Sequence, residues 1–278
     1  MKLLSYKDLK ELNRTGCKVP AIGLGTWKIG GSMTPDHSQD DLAIKALRHG
    51  ISLGMWLIDT AEIYGGGHAE ELVGEAIKIF NREKIFIVTK VWETNLRYDD
   101  VLKAAKRSLK RLKTNYIDLY LIHWPNPRIP LSETMKAMEK LVSDGLVRYI
   151  GVSNFSVKLM EEARSYLSKE DIVVNQVKYN VYDRSVERDI LPYCQKEGIT
   201  LMAYTPLAKG SVSTDKTLIE IGRKYGKTAA QVALNWLISK DMVIAIPKAV
   251  RIEHIEENAG AMGWRLSEED IRYIEQRI

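Results

Sequence analysis

The stretch Leu57-Ile58-Asp59-Thr60-Ala61-Glu62-Ile63-Tyr64-Gly65-Gly66-Gly67 decides how this chain is read. A short apolar run stops at a carboxylate, a tyrosine follows five residues later, and glycines open the next helical segment. An apolar run ending in Asp is how a buried strand looks where it emerges into a loop. Two later segments repeat the pattern, Val88-Thr89-Lys90 and Leu121-Ile122-His123, each an apolar run ending in one titratable residue.

Working outward, the same kind of run recurs along the whole chain: 21–25, 57–59, 85–89, 119–122, 149–153, 173–176, 200–204 and 243–246. Amphipathic stretches lie between them, at 40–53, 70–79, 99–112, 131–143, 157–167 and 186–196, then a pair at 216–224 and 229–239. Two more, 253–261 and 268–278, follow the last run. Short apolar strands alternating with helices imply parallel pairing through right-handed crossovers, with both sheet faces covered. Eight such units close best as an α/β fold of the (β/α)8 TIM-barrel type. An open doubly wound sheet fits less well, because Gly23-Leu24-Gly25-Thr26-Trp27-Lys28 has two glycines and then a tryptophan where a dinucleotide fingerprint needs a third glycine and a helix. Asn13-Arg14-Thr15-Gly16 reads as the turn of a β-hairpin over residues 1–20, so one domain is expected, a hairpin followed by a barrel over 21–278 with closing helices.

Composition narrows the function. The 278 residues carry 41 basic and 36 acidic side chains, a net charge of +5 spread along the chain, which does not argue for a nucleic-acid partner and is compatible with a small anionic ligand or simply with a solvated lysine-rich surface. Cys17 and Cys194 are far apart and without metal-ligand spacing, so no metal site, no disulfide and a cytoplasmic location are expected. No run reaches membrane-spanning length and the N-terminus lacks the apolar stretch of a signal peptide, so no membrane partner is expected.

In a barrel the loops at the carboxyl ends of the strands build the active site, which gathers Asp59, Tyr64, Lys90 and His123. Singly each has an ordinary explanation: a helix cap, a solvated lysine, a satisfied histidine. Together they form a proton-donating unit. Asp59 holds the charge on Lys90, Lys90 stabilises the Tyr64 phenolate and lowers its pKa, and His123 hydrogen-bonds a carbonyl oxygen beside the phenol. Such a unit suits protonation of an oxygen that is receiving a hydride. Acyl transfer fits poorly, since Ser153 lacks nucleophile-elbow glycines. The Tyr-x-x-x-Lys spacing from Tyr6 to Lys10 sits in a lysine-rich N-terminal segment and reads as accidental.

From Pro20 onward the chain resembles the aldo-keto reductases. The resemblance rests on Gly23-Leu24-Gly25-Thr26-Trp27, Asp59-Thr60-Ala61-Glu62-Ile63-Tyr64-Gly65, Thr89-Lys90-Val91-Trp92, Leu121-Ile122-His123-Trp124-Pro125, Gly151-Val152-Ser153-Asn154-Phe155, Asn175-Gln176-Val177 and Ile246-Pro247-Lys248. It implies a barrel that binds NADPH across its mouth and reduces aldehydes and ketones, with Tyr64 as general acid, Lys90 and Asp59 tuning it, and His123 orienting the carbonyl. It further implies that Ser153, Asn154 and Gln176 hold the nicotinamide carboxamide and that Tyr204 stacks on its ring. Cofactor contact is implied for Gly25, Thr26 and Trp27, for Thr205, Pro206 and Leu207, and for Lys248, Ala249, Val250, His254, Glu257 and Asn258. Trp27, Trp92 and Trp124, with Tyr64 and His123, would line an apolar substrate pocket.

Two positions depart from the family pattern. Lys248 matches the residue that meets the 2′-phosphate of NADPH, but Ala249 and His254 stand where Ser and Arg are common. A neutral His has no guanidinium fork, so the phosphate grip is expected to be weaker, with Arg251 one turn away and NADH an alternative cofactor. The short segment 209–214 and the end at Ile278 imply fast cofactor exchange and an open pocket that accepts varied small carbonyls. The leading expectation is a monomeric NADPH-dependent carbonyl reductase. A cofactor-binding interaction protein of the same fold, and a barrel aldolase or isomerase using Lys90 as a Schiff base, stand as the alternatives.

Overall fold

The computed structural model of the protein describes residues 8–12 and 15–278. Strands β1 (Leu9–Glu11) and β2 (Lys18–Pro20) pair antiparallel as the expected hairpin. The rest of the predicted hairpin segment, residues 1–7 with Tyr6 and the turn residues 13 and 14, lies outside the described residues. Eight strands follow: β3 (Leu24–Gly25), β4 (Leu57–Asp59), β5 (Phe86–Val91), β6 (Ile117–Ile122), β7 (Val147–Ser153), β8 (Ile172–Lys178), β9 (Thr200–Tyr204) and β10 (Val243–Ala245). They pair in parallel in sequence order. Bridges from Ile22 to Ala245 and from Gly25 to Lys248 bring the first strand back to the last and close the barrel.

Helices α1 (Asp40–Ser52), α2 (His68–Ile77), α3 (Tyr98–Leu112), α4 (Leu131–Ser143), α5 (Val157–Ser165) and α6 (Ile190–Glu197) return the chain between strands. Helices α7 (Lys216–Tyr225) and α8 (Ala229–Ser239) share the seventh crossover, and α9 (Ile252–Ala259) and α10 (Glu268–Arg277) follow the barrel. Each helix buries one stripe. In α3 the buried side chains are Val101, Ala104, Ala105, Ser108, Leu109 and Leu112, the three-and-four spacing of an amphipathic helix. Starts coincide with capping residues where the side chain can reach back, as at Asp215 and Ser267, and as in the Thr228–Gln231 capping box of α8. The helix predicted over 186–196 is split, with a 3-10 turn at Ser185–Glu187 and α6 beginning only at Ile190. Pro192 lacks a donor N–H and is tolerated only in a first turn, and Asp189 caps the start by accepting from the Ile190 amide. No helix among the described residues is long and apolar enough to cross a membrane.

The strands of the barrel wall are buried on both faces, and their alternation sorts side chains into two cores. Ile58, Ile87, Tyr120, Val152 and Ala203 face the helices, while Leu57, Val88, Leu119, Leu121, Val174 and Met202 fill the interior. The hairpin joins that interior through Leu12 and Val19. Its Glu11 carbonyl accepts from the Thr200 hydroxyl at the start of β9, which places it as a plug under the amino-terminal end of the barrel. The interior packing is close enough for one added methyl to matter: a Cβ on Gly151 would sit 2.7 Å from the Val174 carbonyl oxygen and 2.7 Å from Leu121 Cδ2. Backbone cannot give way as a side-chain tip can, so Gly151→Ala is expected to lose ~1–3 kcal/mol. Urea unfolding would read this as a lower midpoint with an unchanged slope.

Candidate active site

Inward parity selects the site. In β5, Phe86, Val88 and Lys90 share one face; in β4, Leu57 and Asp59 do. The predicted strand ended at Thr89, but β5 runs on to Val91, with Lys90 paired to Leu121 of β6, so the ammonium lies inside the barrel rather than in a loop beyond it. Its outward neighbour Thr89 donates to buried Glu70 of α2, which Arg111 of α3 also holds, at 2.6 Å each. The same parity turns Gln176 of β8 inward while Asn175 points out to the Phe155 carbonyl.

Lys90 is 0 % exposed. Its Nζ lies 2.8 Å from Asp59 Oδ1 and 2.9 Å from Oδ2, donates to the Thr60 carbonyl at 2.8 Å, and reaches the Tyr64 hydroxyl at 3.4 Å. Gln176 Nε2 donates to Asp59 Oδ1 at 2.7 Å, fixing the carboxylate from the far side. Burial works against the ammonium, but Asp59 and the phenol together hold Lys90 above its ordinary value.

Tyr64 begins the 3-10 turn Tyr64–Gly67, where the left-handed φ of 57° at Gly65 and the nearness of the Gly30 carbonyl leave no room for a Cβ. Lys90 pulls the phenol's pKa down, as expected, but burial pushes it up by more, so the net shift is upward and the group is held protonated in the resting protein. His123, one residue past β6, packs edge-on against Tyr64 and Trp92, with centroids 5.6 Å and 5.1 Å away. Burial, and next the Lys90 charge, depress its pKa to about 2, so the imidazole is neutral. Its Nδ1 is buried without a partner.

A cleft of about 800 Å³ runs over this cluster. Every predicted cofactor or substrate residue lines it, from Gly25, Thr26 and Trp27 through Asp59, Tyr64, Trp92, His123 and Trp124 to Ser153, Asn154 and Gln176. Tyr204, Thr205, Pro206 and Leu207 continue the wall, and Lys248, Ala249, Val250, His254, Glu257 and Asn258 form its far end. Lys90 lies beneath the floor. Asn154, at φ 62°, is engaged by the wall itself: its amide donates to Ser153 Oγ and the His123 carbonyl, and its oxygen accepts from the Tyr204 hydroxyl at 3.0 Å. That last bond pins the Tyr204 ring. At the far end Lys248 is half-buried and depressed by burial and then by Lys28, so two cations crowd one spot. Lys28, Met33, Ile63 and Ala230 also line the cleft and were missed. Lys28 could have been found, since it directly follows Trp27 in a loop already assigned to the site; Met33 and Ala230 carry no local signal. Trp27 and Trp124 are 40 % and 41 % exposed, large apolar rings left in solvent at the rim.

A closed (β/α)8 barrel with a phenol, a buried ammonium–carboxylate pair and a neutral imidazole under one long cleft defines a barrel enzyme. The chain belongs to the aldo/keto reductase family, whose family model matches residues 21–278. It is 40 % identical over 263 residues to methylglyoxal reductase YeaE of Escherichia coli (strain K12), covering 93 % of this chain and 90 % of that one. Its fold is similar to the crystal structure of the thermostable aldo-keto reductase Tm1743 in complex with the inhibitor epalrestat, with TM-score 0.93, 55 % identity, and coverage of 96 % and 98 %. It is also similar to an aldo-keto reductase from Klebsiella pneumoniae in complex with NADPH, with TM-score 0.90, 39 % identity, and coverage of 98 % and 95 %.

The His123 environment sets a pH dependence. Its folded pKa of about 2 lies below the ordinary 6.5, so the unfolded chain takes up the proton more readily. The stability it contributes is full above about pH 6.5 and falls as acid is added, by up to ~1.4 kcal/mol per unit. Unfolding free energies at about pH 7 and about pH 5 should therefore fall less steeply in His123→Asn than in the parent chain.

Proposed function

We propose that the protein reduces aldehydes and ketones to alcohols with NADPH, and that Tyr64 donates the proton. The observation that carries this is the Tyr64 hydroxyl, lining the cleft, set 3.4 Å from the fully buried Lys90 ammonium beneath its floor. When bound, the cofactor supplies a hydride to the carbonyl carbon. The rest falls to the chain. Burial keeps the Tyr64 proton in place until an alkoxide develops, and Lys90 then stabilises the phenolate left behind, with Asp59 and Gln176 keeping the ammonium aimed.

His123 serves as a neutral donor. An orphaned acceptor nitrogen costs less than an orphaned N–H, so the buried, unpartnered Nδ1 favours the tautomer with the proton on Nε2, which would bond the carbonyl oxygen. The residues suit the cofactor. Gln176 has its amide nitrogen on Asp59, and among the described residues nothing donates to its Oε1, which leaves that oxygen for a carboxamide N–H. Ser153 and Asn154 shape the same wall, and the pinned Tyr204 ring offers a stacking face. At the far end the buried Asn258 Oδ1 has no partner, an acceptor matched to an adenine amino group, and Lys248 with Lys28 supplies positive charge for a phosphate. His254 lies 3.3 Å from the Glu257 carboxylate and Arg251 lies 3.6 Å from that of Glu253, which supports a moderate preference for NADPH with NADH as a poorer substitute.

Trp27, Trp92 and Trp124 make the substrate end apolar and open, which favours small carbonyls. The similarity to a methylglyoxal reductase makes a 2-oxoaldehyde the first substrate to try. We take the chain to act as a one-domain cytoplasmic monomer without nucleic-acid partners, its free cysteines suiting a reducing compartment.

Tyr64→Phe should lower kcat by about 10²–10⁴-fold while leaving NADPH affinity nearly unchanged; full activity in that variant would end the assignment. Lys248→Ala should weaken NADPH binding by roughly ten- to a hundredfold and NADH binding little, as fluorescence titration would show. A clear preference of the parent chain for NADH would remove the phosphate role of Lys248.

A further inference from the structure

Behind the rim, away from the cleft, the loop before α1 meets the first turn of α2. His68 is buried there with both ring nitrogens engaged: Nε2 lies 2.8 Å from Asp40 Oδ1 and Nδ1 lies 2.9 Å from Glu71 Oε2. The second oxygen of Asp40 is 3.1 Å from Nδ1 of His37, whose ring sits 4.0 Å from that of His68. A His68–Asp40 ion pair needs only one imidazole. Here a second, on exposed His37, shares the same carboxylate.

The arrangement has the donor set of a transition-metal site. Two imidazole nitrogens and one carboxylate lie within 4.8 Å of one another. Around a tetrahedral ion with arms of about 2.0–2.1 Å, ligand atoms stand about 3.4 Å apart, so small shifts of exposed His37 and of the Asp40 carboxylate would close the set. Glu71 already accepts from the far nitrogen of His68, as carboxylates do behind metal-bound histidines. Mixed nitrogen and oxygen donors suit zinc better than magnesium or calcium.

We propose that His37 Nδ1, Asp40 and His68 Nε2 bind a zinc-class divalent cation, with Glu71 orienting His68 and solvent filling the fourth position. With both carboxylates as acceptors, His68 must carry two protons when the ion is absent. The ion takes the Nε2 lone pair and that proton leaves to solvent, while Nδ1–H stays on Glu71. The polar groups facing His68 are Asp36, His37, Asp40 and Glu71, so the donor set is gathered from the loop before α1 and the first turn of α2. The site would tie the loop before α1 to the turn that carries Tyr64, where Gly65 N–H donates to the Ser32 carbonyl at 2.7 Å. It does not depend on the proposed reaction.

The test is calorimetric titration of chelator-treated protein with zinc chloride at about pH 7. One saturable site is expected. His37→Ala, on the surface and outside the catalytic cluster, and Asp40→Asn should each weaken uptake at least about tenfold. Zinc should raise the thermal midpoint of the parent chain and not that of His37→Ala. Absence of saturable uptake, or uptake in both variants equal to that of the parent chain, would overturn the proposal.

Discussion

The site depends on one buried ammonium. Lys90 has no exposed surface, and isolating such a charge from water costs several kcal/mol unless it is neutralised and hydrogen-bonded. Asp59 neutralises it, and the Thr60 carbonyl and the Tyr64 hydroxyl take up its remaining donor capacity. The phenol is thus part of the set that makes the lysine tolerable. An arrangement needed for stability and a phenol poised over a cation are the same arrangement, which is why Tyr64 cannot drift from the amine without leaving a buried donor unsatisfied.

That constraint works only because the barrel is closed and its strands are in register. Asp59, Lys90, Gln176 and Tyr204 come from four strands, and each sits at an inward position near the carboxyl end of its own. Below them the interior is apolar down to the hairpin plug, so polar groups are confined to the mouth. The cleft inherits a gradient from this: apolar rings over the Tyr64 phenol at one end, and at the other the crowded cations Lys28 and Lys248 beside the orphaned oxygen of Asn258.

The order of strands and helices was legible because a parallel strand covered on both faces reads as an unbroken apolar run, and an amphipathic helix reads at its own period. Asp59, Tyr64, Lys90 and His123 were legible because titratable side chains stand at or just after the ends of three successive apolar runs. Where reading by pattern failed, a nonlocal balance decided. The extension of β5 past Thr89 comes from pairing with β6, which a charged residue in the sequence seemed to forbid until its partner across the barrel was known. The pKa of Tyr64 follows from burial outweighing a nearby cation, two opposed effects whose sizes depend on depth and distance. Asn154 matched a cofactor ligand by motif, yet its hydrogen bonds run into the wall and pin Tyr204. His37 and His68 stand 31 residues apart in the chain and share no motif.

The amino-acid sequence by itself determined the architecture and which side chains gather at the mouth, since hydrophobic period and strand-end placement are local properties of a chain. Only the tertiary structure decided the protonation of Tyr64 and His123, the pinning of Tyr204 and the meeting of His37, Asp40 and His68. Those rest on desolvation and on distances between segments remote in sequence, and both exist only once the barrel has closed.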